Sequence, residues 1–129
     1  MTTEEIAARL VELCREGKFE TAQKELHASD VISIEPYGTA TFAKETRGLS
    51  AVLEKGRQFT AIIERVHSIS VSDPLVAGSS FACAMQLDVT IAGHGRMTLN
   101  ELCIYGVKDG KIVSEQFTSR FPVDTRVHR

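Results

Sequence analysis

The sequence predicts an α+β fold in which early helices cover one face of a later antiparallel sheet. Three observations predict it. Apolar residues recur at helical spacing through most of the chain up to Ile63, and from Val66 onward they alternate at two-residue spacing. The second half is punctuated by the turn signals Asp73-Pro74, Gly93-His94-Gly95 and Lys108-Asp109-Gly110. Helices gathered before strands build a layered α+β domain. At 129 residues the chain fits a single domain, 1–129, large enough to bury a real core.

Each element has its own signal. Ile6, Leu10, Leu13 and Cys14 share one face of a first helix, with Thr2 and Glu5 as its capping box and Gly17 at its end. A short second helix turns Phe19, Ala22 and Leu26 inward. Val31–Glu35 is rich in β-branched residues and stops at Pro36, which has no N–H to donate, so it reads as a short strand. Val52, Gly56, Phe59 and Ile63 predict a third helix over about 49–63, in which Gly56 costs about 1 kcal/mol relative to alanine. Strands follow over 66–71, 81–92, 96–107 and 112 to about 121, joined as an antiparallel meander.

Composition excludes several functions. A net charge of −2 offers no basic field for a phosphate backbone, and the basic residues are dispersed, with Arg120, Arg126 and Arg129 in a tail expected to be solvated. Nucleic acid is therefore not an expected partner. The N-terminus lacks the basic and apolar regions of a signal peptide, and no apolar run is long enough to span a membrane. Cys14, Cys83 and Cys103 are odd in number and sit in apolar runs, which fits reduced buried thiols and a cytoplasmic location.

Leu26-His27-Ala28-Ser29-Asp30-Val31 leading into Ser33-Ile34-Glu35-Pro36, the Gly48-Leu49 helix start, and Tyr105-Gly106-Val107-Lys108-Asp109-Gly110-Lys111-Ile112 span nearly the whole chain. In that order and spacing they resemble the SnoaL-like (polyketide cyclase-like) branch of the nuclear transport factor 2-like superfamily. The resemblance implies a cone: a strongly bent antiparallel sheet, covered by three N-terminal helices, that encloses a pocket. It also implies a homodimer joined across the outer sheet face. Members include isomerases, dehydratases, cyclases, epoxide hydrolases and proteins with no chemistry, so the fold alone narrows function little.

Three residues are candidates for catalysis. Glu35 ends an apolar strand, where burial would raise its pKa toward neutrality and suit it to general acid–base work. By resemblance to the steroid isomerases of the superfamily, Glu35 before Pro36 falls where they carry a catalytic aspartate. Their oxyanion-binding tyrosine and aspartate fall at Leu10 and Cys103, neither a strong donor, which argues against that isomerisation. Glu101 shares a strand face with Leu99, Cys103, Tyr105 and Val107, and would project into the pocket with Tyr105 if that face is concave. His67 alternates with Arg65, Ile69 and Val71 and titrates near neutrality, which suits a proton carrier. Each also has a plain structural reading: a wet strand end, a dimer-facing strand, a satisfied strand histidine.

Leu10, Phe59, Cys103, Tyr105 and Phe117 are the expected pocket lining, while Phe42, Phe59, Phe81, Phe117 and Phe121 supply most of the aromatic area. His27, His94 and His128 show no ligand spacing, so no metal is expected, and no pattern calls for a cofactor. Ser79 and Ser80 read as turn residues, and the cysteines as structural thiols. Three functions fit: a cofactor-independent lyase, isomerase or hydrolase acting on a small apolar molecule by acid–base catalysis; a non-catalytic binding module for such a molecule; or a dimerisation domain.

Overall fold

The computed structural model describes residues 1–38 and 43–118. Phe42, Phe121, Arg120, Arg126, Arg129 and His128 lie outside the described residues. The elements run α1 (Thr3–Arg15), α2 (Phe19–Leu26), β1 (His27–Ile34), β2 (Glu45–Arg47), α3 (Leu49–Ile62), β3 (Ile63–Val71), β4 (Leu75–Ala77), β5 (Ser80–Ile91), β6 (Gly95–Lys108) and β7 (Lys111–Phe117). Three helices and a bent, open sheet form the α+β cone.

Local chemistry sets the boundaries. Thr2 and Glu5 close a reciprocal capping box on α1. At its other end Lys18 N–H donates to Leu13 O and Gly17 N–H to Cys14 O, the paired bonds of a Schellman motif, with Gly17 at φ 74°. Gly48, at φ 90°, turns the chain into α3. The two-residue turn Asp109-Gly110 has φ of 53° and 74°, both positive as a type I′ hairpin requires, and joins β6 to β7.

Among the described residues the sheet order is β2-β1-β7-β6-β5-β3, with β4 beside β5. β3, β5, β6 and β7 form the expected antiparallel ladders, while β1 pairs with β7 in parallel. That pairing, at His27 opposite Ile112, starts β1 at His27 rather than at Val31, while β2 lies antiparallel to Ile32–Ile34 on the other side. The register is irregular between His27 and Ile32, a stretch with little strand propensity of its own. The three-residue strand β2 was too short and polar, and the apolar β4 too short, to leave a pattern.

β5 and β6 show strict alternation. Phe81, Cys83, Met85, Leu87, Val89 and Ile91 face inward opposite Leu99, Glu101, Cys103 and Tyr105, while Gln86, Asn100, Leu102 and Ile104 face out. Helix α1 closes over this inner face with Ile6, Leu10, Val11 and Cys14, all in one core cluster. Phe81 stacks on Tyr105 at 4.7 Å between ring centroids.

Candidate functional site

Register brings the polar groups of the interior together. Ser33 of β1 lies opposite Glu115 of β7, and Glu115 lies opposite Tyr105 of β6, so three neighbouring strands present them side by side. His27 opens β1 at the end of α2, opposite Ile112. Helix α3 lays Lys55 against them, on the face that also carries Val52, Gly56 and Phe59. His27, Ser33, Glu35, Lys55, Glu101 and Glu115 are all buried.

Such burial is tolerable only if the groups satisfy one another. Glu115 Oε1 lies 2.6 Å from His27 Nε2, and Glu115 Oε2 accepts from Ser33 Oγ at 2.6 Å. Ser33 Oγ accepts in turn from Lys55 Nζ at 2.6 Å, and Lys55 Nζ reaches Glu35 Oε2 at 3.2 Å. The ammonium also sits 5.8 Å from the centroid of the Phe117 ring. A five-residue chain, His27–Glu115–Ser33–Lys55–Glu35, therefore threads the interior.

Its electrostatics follow from that order. Burial alone would push the Glu115 carboxyl up, but the hydrogen bond and charge of His27, the Ser33 hydroxyl and the Lys55 ammonium outweigh it and hold the group below the usual carboxylate range. Glu115 is thus an ionised acceptor, so the His27 nitrogen facing it carries the proton. The other nitrogen, Nδ1, is buried and has no hydrogen-bond partner among the described residues. Desolvation drives the Tyr105 phenol well above its usual range and the Cys14 thiol up to about 12, so both stay protonated.

This network forms part of the wall of a cavity of about 450 Å³, within the size range of small-molecule sites. Leu10, Phe19, Leu53, Phe59, Met85, Leu87 and Phe117 make the wall largely apolar, and His27, Lys55, Glu101, Tyr105 and Glu115 supply its polar groups. Glu20 and Gln23 of α2 and Arg57 and Thr60 of α3 also line it, with Arg57 Nε donating to Glu20 Oε1 at 2.8 Å.

The residues singled out from the sequence fall in different places. Leu10, Phe59, Tyr105, Phe117 and Glu101 line the cavity. Glu101 Oε1 lies 3.7 Å from the Cys103 thiol, which is fully buried and does not line the cavity. Glu35 is buried beside Lys55 and stands behind the cavity wall rather than on it. His67 bonds Thr90 Oγ1 at 2.7 Å across β3 and β5, at a register shift between Val66 and Ser68, and does not line the cavity.

Sequence reading passed over His27, Lys55 and Glu115. Lys55 did carry a signal, since positions 52, 55, 56 and 59 share a helical face and a lysine among them is out of place. Glu115 alternates with Phe117 in the same way. His27 carried none, because its strand exists only through pairing with β7. Among the described residues no three His, Cys, Asp or Glu side chains group so as to hold a metal ion, and no helix is long and apolar enough to cross a membrane.

Residues 1–119 match the sequence model of the SnoaL-like domain. A SnoaL-like polyketide cyclase candidate from Mesorhizobium loti, also labelled a carbohydrate phosphatase, superposes with a TM-score of 0.83 at 34% identity, covering 91% of this chain and 98% of that one. A nuclear transport factor 2-like protein of unknown function from Burkholderia pseudomallei superposes at 0.76 with 15% identity, covering 99% and 97%. A candidate isomerase from Bacillus subtilis does so at 0.69 with 18% identity, covering 91% and 88%. The last two show the fold alone. Among curated proteins no sequence match is found.

Proposed function

This chain belongs to the SnoaL-like domain family, and we propose that it binds a small, largely apolar molecule in its cavity and moves a proton on it, as an isomerase, lyase or hydrolase does. The observation that carries this reading is the buried ionic network opening onto an apolar wall. Five polar side chains are desolvated together, at a cost that core packing would not require, and three of them reach the cavity. In this reading Glu101 and the His27–Glu115 pair exchange the proton, Tyr105 and Lys55 offer hydrogen-bond donors to a developing oxyanion, and Glu35 positions Lys55.

The test is deuterium wash-in. Small aromatic and alicyclic ketones are incubated with the protein in D₂O, and exchange beside the carbonyl is followed by NMR. The reading expects exchange above the buffer rate, lowered at least tenfold in Glu101→Gln or Glu115→Gln. Ketones that bind without any exchange above buffer would leave a binding module in its place. Reduced thiols and a cytoplasmic setting belong to the same proposal, since Cys14, Cys83 and Cys103 are free and buried. So does a homodimer across the outer sheet face, where Leu102 and Ile104 are exposed; sedimentation as a monomer at micromolar concentration would reject it.

A further inference from the structure

We propose that Nδ1 of His27 is the atom that engages the ligand, and that the ligand carries a hydroxyl on an otherwise apolar body: an alcohol, a phenol or an enol. This inference rests on the reading of the cavity as a ligand site and adds the contacting atom and the functional group it selects.

The starting point is an imbalance in an otherwise satisfied network. Both Glu115 oxygens, the Ser33 hydroxyl and His27 Nε2 have partners at 2.6 Å. The His27 side chain is 1% exposed, yet its Nδ1 has no hydrogen-bond partner among the described residues. A buried nitrogen left in this way destabilises the fold unless something outside the chain completes it. His27 lines the cavity, so the missing partner can come from a ligand.

The surroundings select its chemistry. Glu115 is ionised and fixes the proton on Nε2, so Nδ1 presents either a lone pair or, in the imidazolium, an N–H. A hydroxyl completes both forms, by donating to the first or accepting from the second. An ammonium would serve only the neutral ring. A carboxylate would serve only the charged one, and would add negative charge to a wall that already holds Glu20, Glu101 and Glu115 against Lys55 and Arg57, with Arg57 paired to Glu20. Leu10, Phe59 and Leu87 receive the apolar body. With the neutral ring the hydroxyl O–H bond can break, the proton passing to Nδ1 and the electron pair staying on oxygen, while the imidazolium formed is held by Glu115.

The experiment uses the full chain labelled with ¹⁵N-histidine, with phenol and 2-naphthol as probes and toluene and naphthalene as matched hydrocarbons. The His27 ring signals are assigned with His27→Gln, whose amide nitrogen takes the place of Nε2 against Glu115 and leaves nothing at Nδ1. The expected result is a shift of the Nδ1 resonance with the hydroxylated probes and none with the hydrocarbons. Phenol and 2-naphthol should also bind about tenfold more weakly to His27→Gln, equivalent to about 1.4 kcal/mol, with the hydrocarbons unaffected. Hydroxylated probes that perturb the Leu10 and Leu87 methyls without moving Nδ1 would overturn the assignment of His27 and leave the cavity a ligand site. If no probe perturbs those methyls, the cavity reading and the inference fall together. The wild-type Nδ1 measurement stands even if the variant does not fold.

Discussion

Replacing Lys55 by methionine removes the ammonium that joins Glu35 to Ser33, and through Ser33 to Glu115, while nearly keeping the volume of the side chain. The Lys55 and Glu35 side chains are each 7% exposed, so water cannot take over the role of the lost cation. Breaking a buried ion pair at one partner costs about 3–5 kcal/mol, several times the value of a surface pair. An unfolding entropy of about 2.1 cal/mol/K per residue gives this chain about 0.27 kcal/mol/K, so the loss corresponds to a fall in Tm of roughly 11–18 °C. Thermal unfolding followed by circular dichroism at neutral pH reads it directly. Adding Glu35→Gln to Lys55→Met should recover part of the loss, because one buried carboxylate charge of the network is then removed along with its cation. A fall of less than about 4 °C in the single variant, or no recovery in the double, would refute the claim that this pair is buried and mutually dependent.

Other outcomes follow from the same structure. Glu115 is held below its ordinary value of 4.5 in the folded chain, so on acidification the unfolded chain binds the proton first. Its contribution is therefore full above about pH 4.5 and is lost as pH falls through the folded value; urea titrations from pH 7 to pH 3 should show a shallower decline for Glu115→Gln than for wild type. Gly17→Ala forces an L-residue to φ 74° with its Cβ 3.3 Å from Ile69 Cδ1, and should cost about 1–2 kcal/mol by urea unfolding. Burial that pushes the Cys14 thiol up to about 12 should leave it unlabelled by a maleimide at pH 8 in the native protein and labelled in urea, as read by peptide mass spectrometry.

How much of this was legible in the sequence depends on whether a feature is local. The helices were, because the Ile6–Leu10–Leu13 face and its Thr2–Glu5 box are contained within one segment. The long strands were too, because strict alternation over 81–91 and 99–105 survives any partner. The same alternation placed Glu101 and Tyr105 on one shared strand face, while which face is the inner one is decided only by the fold. The network was not legible as a network. Ser33 and Glu115 are 82 residues apart and meet only through the parallel register of β1 on β7. That register also makes a strand residue of His27 and supplies the carboxylate that orients it. Glu35 was noticed as an acid among apolar residues, but its partner Lys55 sits on a different element, 20 residues later. His67 drew attention by residue type alone, and its ring is used by Thr90 instead.

The claim at the centre of this account is that small apolar molecules enter the cavity beside the His27–Glu115–Lys55 network. Methyl spectra of the labelled protein, recorded while a small aromatic ketone is titrated in, test it most directly. The account predicts saturable shifts confined to Leu10, Leu53, Met85 and Leu87, whose side chains line the cavity. Shifts confined instead to the exposed Leu75, Leu102 and Ile104, or scattered without saturation, would contradict it.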